Sequence, residues 1–574
     1  MMKQLLLGAM ALFAPIVVSA QVEKQVEVTK AYEPTIEQAT KLSISPDRTD
    51  TTHMRPEIDY TITPLALETS LKTRPINPAQ LTYWEFNRPR PYYLRAGVGY
   101  PWQSVADFYV ATQQPSIGYA LAYFNHKGRY GDIKNDYGLK RDATRIDNRI
   151  GGAAGRYVGP RAVEFEVDYR HHQTRRYGMA LPAELAIVGR KVGYSDLSAS
   201  LRFGDDFQHL ERINYAVWLQ GDLFFDSRDL LDDAAQGREN SWSVGGKVAH
   251  SFSGHEVAVD AAYYRQAGVD YLEGHRQHQY KLGGRYGKRS EKYNLEAGVD
   301  YYFDHFKQGE QLISENYLFP FLRFDFDLFS DAVKPFVEVD GSLDRNDLQR
   351  LMEANPYLAL NTWLPRSTVT WEGRAGITGN SKNNLFAYRA YVDFGLSDNQ
   401  CYWLLPANEI TNPHTTSAGY MIPYLGRQSR LSLAGELTYR PHLSWTIDGA
   451  VRFTTYTDDD TLIKNGQPAV EGHLAVRYAS RKIRFGVKAE LMSARTWSYV
   501  NTEVLLHPAA DKELFVGSYK APATVNLSAD FEWMISGSIA LFAEADNLFC
   551  SKLYRYPTMP EYGANCMLGV RLAF

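Results

Sequence analysis

Apolar and polar residues alternate one by one along the end of the chain. One face of the first alternating run holds Ile539, Leu541, Ala543 and Ala545, and the other holds Ala540, Phe542, Glu544 and Asp546. A period of two is typical of a β-strand with one apolar face and one polar face. The chain closes on a second such run, in which Leu568, Val570, Leu572 and Phe574 share a face and Arg571 lies on the other. We expect this last strand to lie in a membrane barrel, with the edge strand of a soluble sandwich as the alternative.

The same alternation recurs between residues 92 and 574. The clearest runs lie at residues 163–170, 257–263, 293–301, 431–439, 483–491 and 525–533. A charged side chain that points into the middle of a bilayer costs roughly 2–4 kcal/mol, so the absence of charges from one face of each run is informative. The pattern therefore predicts an all-β protein, a transmembrane antiparallel β-barrel over residues 92–574.

Short turns and longer polar loops alternate along this region. The short turns lie at residues 158–161, 253–255, 288–291, 330–331, 379–383, 440–442, 480–482 and 536–537. The longer loops lie at residues 131–145, 179–193, 227–240, 344–366, 397–427, 456–467 and 495–522. Outer-membrane barrels have short periplasmic turns and long outer loops. Counting the strands gives about 22, and an even number places both barrel ends in the periplasm.

Two neighbouring residues of one predicted strand test the assignment of lipid-facing and lumen-facing positions. Val299 belongs to the apolar set and Asp300 to the polar set. An arginine at position 299 should impair insertion into lipid, whereas an arginine at position 300 should be tolerated in the lumen.

Composition agrees with a membrane barrel. The chain has 574 residues, more than one ordinary soluble core accommodates. Its 39 tyrosines suit the belts of aromatic side chains at the two surfaces of a bilayer. Lys plus Arg is 62 against 66 for Asp plus Glu, so no basic excess indicates nucleic acid. Outer-membrane lipid is therefore the predicted surrounding, and no nucleic acid is predicted as a partner.

Residues 1–20 read as a secretory signal peptide. Lys3 supplies the positive start, residues 5–18 form an apolar run, and Val18-Ser19-Ala20 forms a small-residue cleavage site. The apolar run is too short to span a bilayer, and no other stretch is apolar enough for a transmembrane helix. We therefore expect export, and residence in the cell outer membrane through strands.

Residues 21–91 differ from the rest of the chain. Prolines at positions 34, 46, 56, 64, 75, 78, 89 and 91 exclude long helices and central strands. We predict an extended or partly disordered periplasmic leader, with folding over the barrel mouth as the alternative.

The three cysteines do not form a dense disulfide framework. Cys550 and Cys566 flank the last hairpin loop, but alternation places Cys566 on the lipid side and Cys550 on the lumen side. Cys401 lies far from both in sequence. We predict three thiols that are free or loosely paired.

Motifs for enzymatic chemistry are absent from the sequence. No Gly-x-Ser-x-Gly elbow and no phosphate-binding Gly-x-x-x-x-Gly-Lys loop occurs. The adjacent His171 and His172 point to opposite faces of a strand, and the acidic run at residues 458–460 lacks the other oxygens of a calcium loop. We predict that the protein is not an enzyme and has no catalytic residues, no cofactor and no metal.

The closing residues carry a resemblance to a known family. Asn547-Leu548-Phe549, then Tyr554, and a last strand that ends in Phe574 resemble the end of TonB-dependent outer-membrane receptors. The resemblance implies a 22-strand barrel and the energised uptake of bulky nutrients. The close match covers residues 546–574, and the rest of the barrel agrees only in its strand pattern.

The chain departs from that family ahead of the barrel. Those receptors carry a plug domain, longer than residues 21–91, together with a short box that binds TonB. Val26-Glu27-Val28-Thr29 is the candidate for such a box, and it would bring a TonB-type or other periplasmic partner. The prediction is a receptor-like barrel that lacks a full plug.

A wide barrel without a plug needs something else to fill its lumen, because lumen width grows with strand number. The loops at residues 344–366 and 397–427 are rich in apolar side chains, among them Trp363, Tyr402 and Trp403. They fold inward, meet a partner or pack on themselves outside. Two functions follow: a transport or uptake channel for a bulky solute, or a non-transporting accessory or scaffold subunit of an outer-membrane complex for secretion or barrel assembly.

Overall fold

The structure, a computed structural model, describes residues 90–574 apart from eleven short gaps. The gaps are residues 113–116, 179–190, 208–209, 229–236, 330–331, 358–363, 382, 408–420, 459–463, 502–503 and 505–512. The predicted signal peptide, residues 21–89 of the predicted leader, the candidate box at Val26–Thr29 and Trp363 lie outside the described residues.

Strands dominate the described residues. They are β1 (Tyr92–Tyr100), β2 (Gln103–Ala111), β3 (Gly118–Arg129), β4 (Asp132–Lys134), β5 (Lys140–Asp142), β6 (Arg145–Val158), β7 (Arg161–Arg175), β8 (Lys191–Asp205), β9 (Asn214–Asp226), β10 (Arg238–Phe252), β11 (His255–Val269), β12 (Arg276–Arg289), β13 (Tyr293–Gln308), β14 (Gln311–Phe326), β15 (Lys334–Asp344), β16 (Thr368–Asn380), β17 (Phe386–Pro406), β18 (Ile422–His442), β19 (Trp445–Asp458), β20 (Val470–Ala479), β21 (Ile483–Met492), β22 (Arg495–Val500), β23 (Phe515–Ala521), β24 (Thr524–Met534), β25 (Ile539–Asp546), β26 (Tyr554–Tyr556), β27 (Met559–Pro560) and β28 (Asn565–Ala573). One 3₁₀ turn, Asp270–Leu272, and one helix, α1 (Leu348–Ala354), complete the described elements.

Twenty-two of these strands form one closed antiparallel barrel; β4, β5, β22, β23, β26 and β27 stand outside it. The barrel closes where β1 pairs with β28, from Tyr93 opposite Ala573 to Tyr100 opposite Cys566. Tyr92 and Phe574 exchange both backbone hydrogen bonds, each at 3.0 Å. Closure leaves no strand edge without a partner, which a bilayer requires because it offers no water to an unpaired backbone group. The predicted fold class and strand number are confirmed.

The alternating residues lie on the faces that the sequence predicts. On β28, Leu568 and Val570 point outward with 65% and 39% of their surface exposed. Arg571 points into the lumen, where its Nε lies 2.6 Å from Glu532 of β24. Every described wall strand that was read from alternation turns its apolar set outward in the same way, so the outer face offers hydrocarbon to the lipid.

Three predicted loops contain strands instead. The stretch at residues 397–427 continues β17 to Pro406 and resumes as β18 at Ile422, the stretch at residues 495–522 contains β22 and β23, and the stretch at residues 131–145 contains the short hairpin of β4 and β5. These strands extend beyond the membrane, where no change of solvent marks their ends in the sequence. Alternation alone therefore placed the strand ends too early.

The cysteines are free. Cys566 lies on the outward face of β28 as expected, and Cys550 lies in the following outer loop rather than on the lumen face of a strand. The Cys550 and Cys566 thiols therefore remain unpaired because Cys550 lies in the loop beyond the end of β25 at Asp546. Opposite faces of a strand, the reason given by the alternation, are not involved.

The expected tolerance of an arginine at position 300 is corrected. Asp300 does face the lumen, but its carboxylate receives both Arg285 guanidinium nitrogens, at 3.0 and 2.6 Å, and lies 3.6 Å from Lys281. A third cation at this point would repel the other two, so this position is not a neutral control.

Neighbouring residues in the middle of β9 offer a matched test of facing. Leu219 points outward with 49% of its surface exposed, and Gln220 points into the lumen, where its amide donates to Asp222 at 3.1 Å. We expect Leu219→Arg to lose roughly 2–4 kcal/mol of folding free energy in lipid. Gln220→Arg should fold normally, because its guanidinium keeps a donor beside Asp222. The fraction of protein with heat-modifiable gel mobility measures both, and equal loss in the two variants would contradict the assigned faces.

Candidate functional site

The connection between β15 and β16 folds into the barrel over its described residues, 345–357 and 364–367; we call these residues the inner loop. Its helix α1 begins after Asp347, whose carboxylate accepts from the Arg350 backbone N–H at 2.9 Å. The apolar face of α1 is buried against the inner wall and its neighbours; this cluster comprises Leu348, Leu351, Met352, Leu364, Tyr194, Phe224 and Leu272. Of the alternatives for this loop, inward folding is the observed one.

A buried carboxylate from the wall holds the start of the helix. Glu239 of β10 is 2% exposed, and its Oε2 accepts from the Leu348 backbone N–H at 2.8 Å and from the Gln266 amide at 2.9 Å. The first N–H groups of a helix have no partner within it, and the buried carboxyl oxygen of Glu239 supplies one. Glu239 thus satisfies a buried backbone donor and fixes the inner loop to the wall.

Further polar contacts fasten both ends of the inner loop. Near its start, the Tyr264 hydroxyl donates to Asp347 at 3.1 Å, and in the last turn of α1 Glu353 lies 3.4 Å from Arg170 of β7. The returning segment is held by Arg366 against Glu315 of β14 at 3.1 Å. These contacts reach β7, β11 and β14, so the described parts of the loop are held against the inner face of that sector of the wall.

Above the inner loop, the outer ends of two long strands bend across the mouth. β17 and β18 each have 21 residues, and a bulge between Ser397 and Gln400, with Asn399 at φ +55°, changes their register. Beyond the bulge β17 pairs in parallel with β22, Leu405 opposite Tyr499, and β22 pairs with β23. The outer ends of β17 and β18 with β22 and β23 form a small sheet, here called the roof sheet.

A hydrophobic core lies between the roof sheet and the other outer loops. Its buried members are Ala143, Tyr177, Val192, Tyr357, Tyr402, Leu404, Ile422, Val500, Met559 and Tyr562. They come from the connections β3–β6, β7–β8, β15–β16, β17–β18, β21–β24 and β25–β28 and their flanking strand ends, which are distributed around the barrel. Residues from so many sides meet only over the middle of the opening. The outer mouth is therefore closed by the chain's own loops, which we call the roof.

Asp136, in the turn between β4 and β5, joins three parts of the roof. Its carboxylate accepts from the hydroxyls of Tyr519 of β23 and Tyr554 of β26, the latter at 2.5 Å, and lies 3.4 Å from the Lys552 Nζ. Burial, followed by the hydrogen bond to Asp136, raises the pKa of Tyr554 to about 12, and the same causes raise the pKa of Tyr519. Both phenols therefore keep their protons at neutral pH and act as donors.

A small polar cavity lies at the same level, between the wall and the loops. We call it the mouth cavity; its lining includes Arg129, Arg145, Arg170, Arg555, His172, Glu353, Glu561, Tyr177, Tyr357 and Tyr562. Arg170 is paired with Glu353, and Arg145 with Asp147 at 3.2 Å. Among the residues that the structure describes, the buried Nε of Arg129 has no hydrogen-bond partner.

The tyrosines of the mouth cavity are donors as well. Burial raises the pKa of Tyr177, Tyr357 and Tyr562. The Tyr357 hydroxyl donates to the Arg175 carbonyl at 3.1 Å, and its ring meets that of Tyr556 edge-on at 5.1 Å. The Tyr562 hydroxyl likewise donates to the Gly131 carbonyl at 3.0 Å, so the arginines are the side chains of this cavity that suit a ligand with anionic oxygens.

The predicted closing signature has structural roles. Asn547 is fully buried at φ +51°, and its amide donates to the carbonyls of Ser551 at 2.8 Å and Tyr562 at 3.1 Å. Leu548 and Phe549 are exposed, 43% and 60%. Phe574 stacks on Tyr92 at 5.3 Å beside the strand closure. Asn547 thus shapes the last outer loop, and Phe574 packs beside the pairing of β1 with β28 that closes the barrel. Neither these two residues nor Leu548 and Phe549 line the mouth cavity.

Sequence reasoning missed the residues that build the closed mouth. Asp136, Glu239 and Arg129 stand in ordinary polar surroundings in the sequence, and only pairing between distant strands brings their partners close. One signal was present: Asp347 followed by Leu348, Leu351 and Met352 has the cap and spacing of a short amphipathic helix.

Neither a metal site nor a membrane helix is found in the described part of the chain. No three His, Cys, Asp or Glu side chains come together as a metal-binding group there. The described helices include none that is both long and apolar enough to cross a membrane.

A closed barrel with an apolar outer belt and a polar lumen is an integral protein of the cell outer membrane. No protein-family model and no curated protein matches the sequence. The fold is similar to that of the FrpB iron transporter from Neisseria meningitidis, with a TM-score of 0.65 and 10% identity over 85% of this chain and 82% of that one. The pyoverdine outer membrane receptor FpvA from Pseudomonas aeruginosa gives 0.60 and 12% identity over 85% and 79%. The ferric-catecholate import receptor Fiu from E. coli gives 0.59 and 10% identity over 85% and 82%.

Loss of the Glu239 carboxylate should release the inner loop. Glu239→Ala leaves the buried Leu348 N–H and the Gln266 amide without their acceptor, which costs about 1–3 kcal/mol for each unsatisfied group. We expect faster trypsin cleavage after Arg345 and Arg350 and a lower midpoint of heat-induced unfolding on gels. Glu239→Gln keeps an acceptor oxygen and serves as the control. Unchanged cleavage in the alanine variant would contradict the anchoring role.

Proposed function

We propose that the protein is a gated uptake barrel of the outer membrane that imports a bulky, negatively charged solute. The solute binds first in the mouth cavity, and separation of the roof loops admits it to the lumen. The likeness to outer-membrane receptors and transporters supports a transport role. The observation that carries the proposal is the mouth cavity itself, with four arginines against two glutamates beneath loops that meet by side-chain contacts.

The lumen chemistry agrees with passage of a polar solute. Its charges are held in cross-strand pairs, such as Arg374 between Glu338 and Asp393, each at 3.1 Å. Paired charges present a hydrated wall without a strong net field, which lets a charged solute bind and leave.

A second candidate is the accessory or scaffold subunit. The hydrophobic core of the roof favours it, because ten buried residues from six connections resist opening. A barrel that stays shut has no transport function and would act through its loops or its leader on a partner.

Purification distinguishes these two functions. The protein is extracted in mild detergent at native expression level, and the associated proteins are identified by mass spectrometry. The scaffold function would be supported by a stable stoichiometric partner together with an absence of ion conductance in planar bilayers. The conductance should stay absent after solute extracts from spent medium are added. Uptake of a labelled anionic solute that is lost on deletion of the gene would support the proposal.

Removal of the Asp136 carboxylate should weaken closure of the mouth. Asp136→Ala deletes the acceptor shared by Tyr519, Tyr554 and Lys552, and one such charged hydrogen bond is worth about 1.5–3 kcal/mol. We expect open events in planar bilayers to rise roughly 10- to 100-fold. Asp132→Ala is the matched control, because the ion pair of Asp132 in the described part of the chain is with Lys140 of its own hairpin, at 3.4 Å. The gating proposal fails if both variants stay equally closed.

The candidate box gives a separate test of energy coupling. We propose that Val26-Glu27-Val28-Thr29 binds a TonB-type periplasmic protein as an added strand, which needs backbone donors. Val28→Pro removes one donor and should abolish energised uptake while leaving barrel assembly and solute binding intact. Glu27→Gln, which keeps the backbone, should retain uptake. Normal uptake by the proline variant would show that this segment does not couple transport to energy.

A further inference from the structure

The outer end of β11, β12 and β13 carries cations on the side that faces lipid. Arg265, Arg276 and Lys307 lie there with His278 and His305, and we call this group the outer basic patch. Arg276 and Lys307 are exposed, and Arg265 is half-exposed. The patch lies on the outside of the wall, separate from the mouth cavity and the lumen.

Strand register places the patch on the lipid side. On β13 the outward set runs Tyr293, Leu295, Ala297, Val299, Tyr301, Phe303, His305 and Lys307. Val299 and Tyr301 are each 41% exposed, whereas Asp300, Asp304 and Phe306 between them are buried toward the lumen. Lys307 therefore continues the face that contacts hydrocarbon lower down.

Aromatic side chains fix the height of the patch. Trp242, Tyr263 and Tyr280 form a continuous row just below it, with ring centroids 5.1 and 4.8 Å apart. Tyr293 marks the opposite end of β13, ten residues before Phe303, which corresponds to roughly 23 Å for a strand tilted at about 45°. An apolar band between aromatic belts is about 25 Å tall. His305 and Lys307 therefore lie two and four residues beyond Phe303, at the level of lipid headgroups.

The cations of the patch are not paired within the described part of the chain. There, Arg265, Arg276 and Lys307 make no ion pair and no side-chain hydrogen bond. Arg276 stands directly opposite Lys307, and like charges that stand directly opposite each other destabilise a strand pair. Arg265 stands opposite His278, whose ring lies 6.1 Å from that of His305.

Acidic residues nearby do not neutralise the patch. Asp270 is paired with Arg238 at 3.2 Å, and neither Glu273 nor Glu310 bonds to a patch cation within the described residues. By contrast, Lys281, on the lumen face of the same β12, lies 3.2 Å from Asp260. Among the described residues, lumen cations such as Lys281 are paired, whereas Arg265, Arg276 and Lys307 are not.

We propose that the outer basic patch binds the phosphate groups of the glycolipid that forms the outer leaflet of the membrane. Two or three convergent cations match a phosphate in charge, and the aromatic row below holds the same molecule at the edge of the hydrocarbon. A bound phosphate also relieves the repulsion between Arg276 and Lys307. The site is independent of the transport proposal, because it lies on the lipid face of the wall.

The size of the effect follows from the number of cations. A basic residue near an anionic membrane surface contributes a roughly fivefold gain in affinity, so three together give on the order of 100-fold. The contribution should fall as salt rises, because headgroup charges are screened over about 8–10 Å.

The test uses the full mature protein, refolded in dodecyl maltoside micelles and titrated with bisphosphorylated lipid A, with binding followed by native mass spectrometry. Dephosphorylated lipid A is the second probe. The patch variant is R265Q/R276Q/K307Q. A matched variant, R289Q/K292Q/R481Q, removes three exposed cations at the turn end of the barrel. Heat-modifiable gel mobility verifies folding, and the single K307Q replaces the triple variant if the latter does not fold.

The expected result is tight binding of the bisphosphorylated lipid by the natural and matched-control proteins, and about 100-fold weaker binding by the patch variant. Dephosphorylated lipid A should bind the natural protein as weakly as the patch variant binds the intact lipid. Equal affinity of the natural and patch proteins would overturn the proposal. So would equal loss in both triple variants, which indicates general charge attraction, or equal binding of the two lipids.

Discussion

Hydrogen bonding of the backbone in a solvent without water is the constraint on which the rest of the structure depends. Each wall strand pairs on both sides, and the ring is completed where Tyr92 and Phe574 bond across the seam. Once closure is required, side-chain alternation follows, because every second residue then meets lipid and every other one the lumen. The apolar belt, the aromatic rows and the lumen ion pairs are all consequences of that division.

Closure of so many strands creates a second constraint, a wide interior. Three parts of the chain line or cover this interior: the paired charges on the wall, the inner loop fixed by Glu239, and the roof above. Among the described residues, the barrel wall is thus combined with an outer cover that is built from loops between strands.

The fold could be predicted from the sequence because alternation is a local signal with a large energetic cost for error. Runs such as residues 293–301 and 525–533 placed strands and faces correctly, and the strand number followed. The ends of β17 and β18 were misplaced, because alternation continues above the membrane, where polar and apolar residues are no longer separated by lipid. The site was not predictable in the same way. Asp136 meets Tyr519 across 383 positions of sequence, and Glu239 meets Leu348 across 109, so neither pair leaves a local pattern. Asn547 was recognised by resemblance, and its role proved to be the shaping of a loop.

The unequal length of the strands has a mechanical consequence. β1, β2 and β28 have 9 residues each and barely cross the bilayer, whereas β17 and β18 have 21 and continue unbroken into the roof sheet. The roof sheet is attached to the rim at two places: β17 and β18 run into it, and β22 and β23 are joined to the wall strands β21 and β24 by links of two residues each. Asp136 contacts its border strand β23 through Tyr519. Each of the two long strands measures about 70 Å along its own path, and the bulge between Ser397 and Gln400 separates the wall part of the pair from the roof part.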